Sequence, residues 1–164
     1  MTNIPYTSKG LEKIVVNVGL GRASSQPNFT EKILPAISEE LAIITGQKPQ
    51  VRTAKLSIAG FKLRAGTIVG VKVTLRRKKM EEFLKKLINI VLPRVRDFRG
   101  IKTEAVDGGG NLTVGIKEHV VFPEVSTEIT KANFGLEITL VPKIRDYKKA
   151  MELYKSLSIP FSKK

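Results

Sequence analysis

Val69-Gly70-Val71-Lys72-Val73-Thr74-Leu75-Arg76 decides the fold. Its apolar residues Val69, Val71, Val73 and Leu75 fall on alternate positions, and Gly70, Lys72, Thr74 and Arg76 fill the others. A period of two is that of a strand with one face buried and one face open. Residues Glu12 to Val18 repeat the pattern, with Ile14, Val16 and Val18 on one side and Lys13, Val15 and Asn17 on the other. Leu112, Val114 and Ile116, then Leu136, Ile138 and Leu140, do so again. These strands need a helical layer to cover their apolar side.

The helices lie between them. Ile33, Leu34, Ile37, Leu41 and Ile44 recur at helical spacing, starting near a capping pair Asn28 and Glu31 and ending at Gly46, with Pro35 marking a kink or a late start. Met80, Phe83, Leu84, Leu87, Ile88 and Val91 form a second stripe that Pro93 is expected to stop. Asp146 is placed to cap a third helix carrying Ala150, Met151, Tyr154 and Leu157. Gln50 to Thr53 reads as a short extended piece, and Asp107 to Asn111 as a turn. The fold class that follows is α+β or mixed α/β, with helices packed on a sheet. The absence of a linker or repeat leaves residues 1–164 as one unit.

With 29 Lys and Arg against 15 Asp and Glu, the formal charge is +14, far beyond what solubility needs, and a polyanion such as nucleic acid is the natural partner. Without cysteine the chain has no disulfide, thiol nucleophile or thiolate metal site. Met1 to Gly10 lack the pattern of a secretion signal and no run is long enough for a membrane span, so a soluble, unprocessed chain without a membrane partner is expected.

Catalytic chemistry finds little support. Gly19-Leu20-Gly21-Arg22-Ala23-Ser24 follows a strand, where a dinucleotide fingerprint belongs, but Ser24 takes the third glycine position and no acidic residue follows near Val51 to Ala54. Gly108-Gly109-Gly110 lacks the Lys-Ser or Lys-Thr of a phosphate loop. His119 beside Glu118 reads more simply as a packed or surface histidine than as a base with its acid, because neighbours on a strand point to opposite faces. Asp97, Glu104 and Asp107 are too scattered for a calcium loop. No cofactor and no catalytic residue are expected.

The polar strand positions carry the binding hypothesis. Lys13, Asn17, Lys72, Thr74 and Arg76 share the face away from the core. They offer cations for phosphate, with amides and hydroxyls for 2′-hydroxyls or base edges; the alternative is that they are merely solvated. Arg77 continues the run Arg76-Arg77-Lys78-Lys79, and Arg94, Arg96 and Arg99 surround Phe98, which suits either RNA or the core. Lys55 to Gly66 has weak periodicity, and Phe61, Lys62, Leu63 and Arg64 sit in it between glycines, so it is expected to project as a basic loop.

Several segments in order resemble one family: Glu12 to Gly21, Gly46-Gln47-Lys48-Pro49, Ser57 to Arg64, Gly70 to Arg76, Pro93 to Gly100, Asp107 to Gly115, Phe122-Pro123-Glu124 and Ile159-Pro160-Phe161. Taken together they are similar to the bacterial-type large-subunit ribosomal protein number five. The resemblance implies an antiparallel sheet with helices on one face, the other face and its turns being presented to 5S rRNA in the central protuberance. It implies rRNA-facing residues at Lys13, Asn17, Gln47, Thr74 and Arg76, and a loop at Phe61 to Arg64 that reaches P-site tRNA. It further implies contacts with 23S rRNA and a small-subunit bridge protein, in a cytoplasmic ribosome. The family carries a helix before the first strand, whereas only Met1 to Leu11 precede it here. A cofactor-dependent RNA-modifying enzyme and a general RNA chaperone are the rival readings.

Overall fold

The computed structural model describes residues 10–21, 23–61, 63–125 and 133–162. Five strands form one sheet: β1 Leu11–Gly19, β2 Gln50–Thr53, β3 Ile68–Leu75, β4 Leu112–Ile116 and β5 Leu136–Pro142, in the order β2-β3-β1-β5-β4. Every neighbouring pair is antiparallel. The alternation seen in the sequence becomes the two faces of this sheet. Ile14, Val16, Val71, Val73, Leu112, Ile138 and Leu140 are buried on one side, each such apolar side chain contributing about 1.5–3 kcal/mol.

Among the described residues the helical layer covers that side only. α1 (Leu34–Thr45) lies over β3, α2 (Arg77–Lys86) over β1, and α4 (Tyr147–Ser156) is tied to β5. The expected capping box at Asn28 is absent, because Asn28 is left-handed (φ 61°) and its side chain caps nothing. Instead Phe29–Ile33 makes a widened π turn, with Pro35 in the first turn of α1. The second helix repeats this device. It widens at Leu87–Val91 and runs through Pro93 in a last turn, α3 (Leu92–Arg94), so Pro93 does not stop it. A proline has no N–H and its ring crowds the carbonyl four residues back; a wider preceding turn relieves both. The cap at Asp146 is present, its Oδ1 accepting from the Lys149 N–H at 2.9 Å.

Several motifs turn out to be packing devices. Phe122 stacks on Phe83 with centroids 6.2 Å apart, and Glu124 meets Lys86 at 2.6 Å. Ile101 and Pro160-Phe161-Ser162 exchange backbone hydrogen bonds of 2.8 and 2.9 Å. This close approach needs Gly100, at φ 98°, where a Cβ would sit 2.5 Å from the Ser162 nitrogen. Burial pushes the Tyr154 phenol well above its ordinary pKa, and its hydroxyl donates to the Gly110 carbonyl at 2.6 Å.

Candidate nucleic-acid interface

With the helices on one side, the other face of the sheet is left open by the described residues, and strand register sets what it displays. One row across it reads Thr113, Thr139, Val15 and Thr74; the next reads Gly115, Glu137, Asn17, Lys72 and Gln50. A third brings Gly19, Gly70 and Arg52 side by side. Gly19, Gly70 and Gly135 line a shallow depression shared by Asn17, Arg52 and Glu137. Gly70 has no room for more, since a Cβ there would meet the Val18 carbonyl oxygen at 2.5 Å.

A bulge between Leu11 and Lys13 turns both Glu12 and Lys13 away from the core. Glu12 then accepts from the Arg76 guanidinium at 3.2 Å and lies 3.5 Å from the Lys13 ammonium. The Arg76 hydrogen bond foremost, then the Lys13 charge, hold the Glu12 carboxyl below its ordinary pKa. An exposed carboxylate thus orients two cations at the corner of the open face, where a surface pair adds little stability.

The structure brings Lys13, Asn17, Lys72 and Thr74 together on this face, with Arg76 at its edge. Gln47 reaches the same edge, its Nε2 donating to the Thr74 carbonyl at 3.1 Å. Arg77 is exposed at the start of α2 with φ 53°, an uncommon conformation for arginine. Arg94, Arg96 and Arg99 are exposed elsewhere, Arg94 at the end of α3 and the other two on the connector beyond it. Arg94 and Arg96 line a groove of about 630 Å³ beside the β4 edge, with Lys117, Val120 and Val121. Phe98 is half-buried and packed on the core, so its ring serves structure.

The basic run after β3 divides by function. Lys79 donates to the Gly46 carbonyl at 2.7 Å, and Lys86 to the Ile44 carbonyl at 2.6 Å, so both cap the last turn of α1. The expected loop is an irregular arm between β2 and β3. Ala54 and Thr67 close its base at 2.8 Å, and Ile58 and Leu63 bridge it at 2.8 and 3.1 Å. Lys55 to Gly60 and Arg64 are exposed and Leu63 is half-buried. Lys62 and the side chain of Phe61 lie outside the described residues.

Gln50 and Arg52 are members of the open face that the sequence reading missed, as are Thr113 and Thr139, whose hydroxyls lie 3.2 Å apart. Period-two alternation was the available signal in β4 and β5; β2 is too short to show it.

The rival chemistry has no framework. A dinucleotide fingerprint belongs to a parallel strand-helix-strand unit, and the strand before Gly19-Leu20-Gly21 has antiparallel neighbours on both sides. His119 is fully buried, and its partner is Glu40 of α1 rather than Glu118. The Phe134 N–H donates to His119 Nδ1 at 3.5 Å, His119 Nε2 lies 2.8 Å from a Glu40 carboxylate oxygen, and the ring stacks on Phe134. Among the described residues no group of three potential metal ligands occurs, and no helix is long and apolar enough to cross a membrane.

The sequence has relatives among known proteins. Residues 8–64 match the family described as ribosomal protein L5, and residues 68–161 match the ribosomal L5P family C-terminus. The chain is 50% identical over 157 residues to the large ribosomal subunit protein uL5 of Desulforapulum autotrophicum, covering 96% of this chain and 86% of that protein. It is 51% identical over 153 residues to uL5 of Malacoplasma penetrans, covering 93% and 80%, and 46% identical over 152 residues to uL5 of Halothermothrix orenii, covering 93% and 83%. With both halves matched and such identity along most of its length, the chain belongs to the ribosomal protein L5 family.

Proposed function

We propose that the chain holds 5S rRNA against the open face of its sheet and thereby anchors that RNA in the large ribosomal subunit. The chain is a non-catalytic constituent of that subunit, as its relatives are named. The observation that carries the finer reading is a five-stranded sheet with one face that, among the described residues, carries no helix. That face displays Lys13, Asn17, Gln50, Arg52, Lys72 and Thr74 in register. Cations there take phosphates and set position, while the Asn17 and Gln50 amides and the threonine hydroxyls supply directional bonds to 2′-hydroxyls and bases. Arg76 exchanges the Glu12 carboxylate for phosphate when RNA arrives. Arg77 and Gln47 extend the contact beyond the sheet.

The arm between β2 and β3 reaches P-site tRNA in this reading, and its exposed Arg64 supports that role. The groove at the β4 edge, with Arg94 and Arg96, is assigned to 23S rRNA or the small-subunit bridge protein. The test of the central assignment is competition between 5S rRNA and a scrambled RNA of equal length across a salt series. Preference for 5S rRNA at every salt concentration, with affinity falling as salt rises, is expected. Equal affinity for the two RNAs throughout would refute it.

A further inference from the structure

We propose that Asp107-Gly108 is a modification site, a latent isoaspartate that Asn111 holds shut in the folded chain and that forms when the turn before β4 opens. Asp107 is the only Asp or Asn of the sequence that glycine follows. A glycine presents its backbone nitrogen with no side chain in the way, so that nitrogen can close a ring on the carboxyl beside it. The Gly108 nitrogen attacks the carbon of the Asp107 side-chain carboxyl. An N–C bond forms, the amide proton and the carboxyl hydroxyl leave as water, and a succinimide results. Water then reopens the ring at either carbonyl. Where it enters at the former backbone carbonyl, Gly108 stays bonded through the side chain. The product is isoaspartate, one atom longer in the main chain, equal in mass and carrying a free α-carboxylate; nothing is oxidised or reduced.

Burial does not protect this pair, since Asp107 and Gly108 are both exposed. Nor does the fold demand glycine at 108: its φ is not left-handed, and a Cβ there would meet nothing within 4 Å. Protection lies in the partners of the carboxylate. The Asn111 N–H donates to Oδ1 and the Asn111 Nδ2 to Oδ2, each at 2.8 Å. Ring closure requires the carboxyl to turn its face to the Gly108 nitrogen, and that rotation breaks one or both bonds. It also requires a protonated carboxyl, whereas the Asn111 side chain foremost, then its backbone, favour the ionised form. The turn is closed around the pair, the Asp107 N–H donating to the Asn111 carbonyl and the Gly110 N–H to the Asp107 carbonyl, both at 2.9 Å.

The site is coupled to α4. Gly110 is buried at φ 82°, where a Cβ would sit 2.7 Å from the Ala150 Cβ, and its carbonyl accepts from the Tyr154 hydroxyl at 2.6 Å. An added main-chain atom at residue 107 shifts Gly110 and turns the carbonyl that receives its N–H into a pendant carboxylate. A chain whose turn has come apart is thereby marked, and α4 loses its tie through Tyr154. The free α-carboxylate is the group that a carboxyl methyltransferase directed at isoaspartate would esterify.

The experiment incubates the full chain, native and in guanidinium chloride, at mildly acidic pH. Isoaspartate at residue 107 is then counted by peptide mapping and by enzymatic methyl transfer. The native wild type should accumulate it several-fold more slowly than the denatured chain. Native Asn111→Ala should approach the denatured rate, and adding Gly108→Ala should suppress it again. Asn111→Asp, which keeps the backbone bond and deletes the side-chain donor, should show the same rise if the alanine variant does not fold. Lys86→Met, whose change lies among α1, α2 and Glu124 rather than at the turn, should stay at the wild-type rate. Equal rates in native and denatured wild type would overturn the proposal, as would no rise in a cooperatively melting Asn111 variant. An equal rise in Lys86→Met would overturn it too, by assigning the protection to global stability. The purified isoaspartyl form should melt lower and ionise Tyr154 like an exposed tyrosine; an unchanged Tm with the phenol still buried would refute the coupling to α4.

Discussion

Lys72 and Lys86 are both half-buried lysines in the basic middle of the chain, yet removing their charges should have opposite consequences. Lys72 stands on the open face between Asn17 and Gln50 with no carboxylate within an ion-pair distance among the described residues. Lys86, 19% exposed at its side chain, donates to the Ile44 carbonyl and to Glu124, both at 2.6 Å, while its ammonium lies within 6 Å of the Phe83 and Phe122 ring centres. Methionine keeps the stem of either side chain and deletes the charge. For Lys86→Met the loss of a charged hydrogen bond costs about 1.5–3 kcal/mol. At an unfolding entropy of about 2.1 cal/mol/K per residue, this is a Tm lower by roughly 4–9 °C. Lys72→Met should move stability by no more than about 0.5 kcal/mol. Its effect appears instead in the logarithmic salt slope of RNA binding, which should shrink by about 0.7–0.9 for one lost phosphate contact. Calorimetry and a filter-binding salt series on the same two proteins measure both quantities. A reduced slope in Lys86→Met with unchanged Tm, or the reverse in Lys72→Met, would refute the division of the basic residues into helix-capping and RNA-facing sets.

Other outcomes follow from particular contacts. Tyr154→Phe leaves the buried Gly110 carbonyl without its donor and should cost about 1–3 kcal/mol, read as a lower Tm with RNA selectivity preserved. The Asn111 side chain, then its backbone, hold the Asp107 carboxyl below its ordinary 3.8. Its contribution to stability is complete above that value and is lost as pH falls through the lower folded-state pKa, so Asp107→Asn should lower stability slightly at neutral pH, change nothing below the folded-state pKa and thereby flatten the acid limb of a denaturant-unfolding series across pH. Changing Phe61, Lys62 and Arg64 together to Ala should leave 5S rRNA binding intact and speed tRNA dissociation from the P site of reconstituted ribosomes; unchanged dissociation would remove the arm from tRNA contact.

The open face was legible in the sequence because burial alternates along β1 from Lys13 to Val18 and along β3 from Val71 to Leu75, and a period of two forces Lys13, Asn17, Lys72 and Thr74 to one side wherever their neighbours are buried. What alternation does not contain is strand order. That Gln50 pairs with Lys72, or that Thr139 lies beside Val15, depends on long-range register. Local signals failed where tertiary packing overrode them. Asn28 and Glu31 have the spacing of a capping box, but the left-handed backbone at Asn28 and the widened turn before Pro35 replace it. Pro93 reads as a stop, yet the same widening carries the helix past it. Charge was legible in number and not in use: Lys79 and Lys86 belong to a basic stretch, but the carbonyls that occupy them come from α1, more than thirty residues away.

The most direct test of 5S rRNA on the open face is lysine acetylation footprinting of the free chain and of its complex with stoichiometric 5S rRNA, read residue by residue by mass spectrometry. The account predicts that Lys13 and Lys72 lose reactivity in the complex while Lys86, already bonded in the free protein, changes little. Unaltered labelling of Lys13 and Lys72 in a complex that remains bound would contradict it.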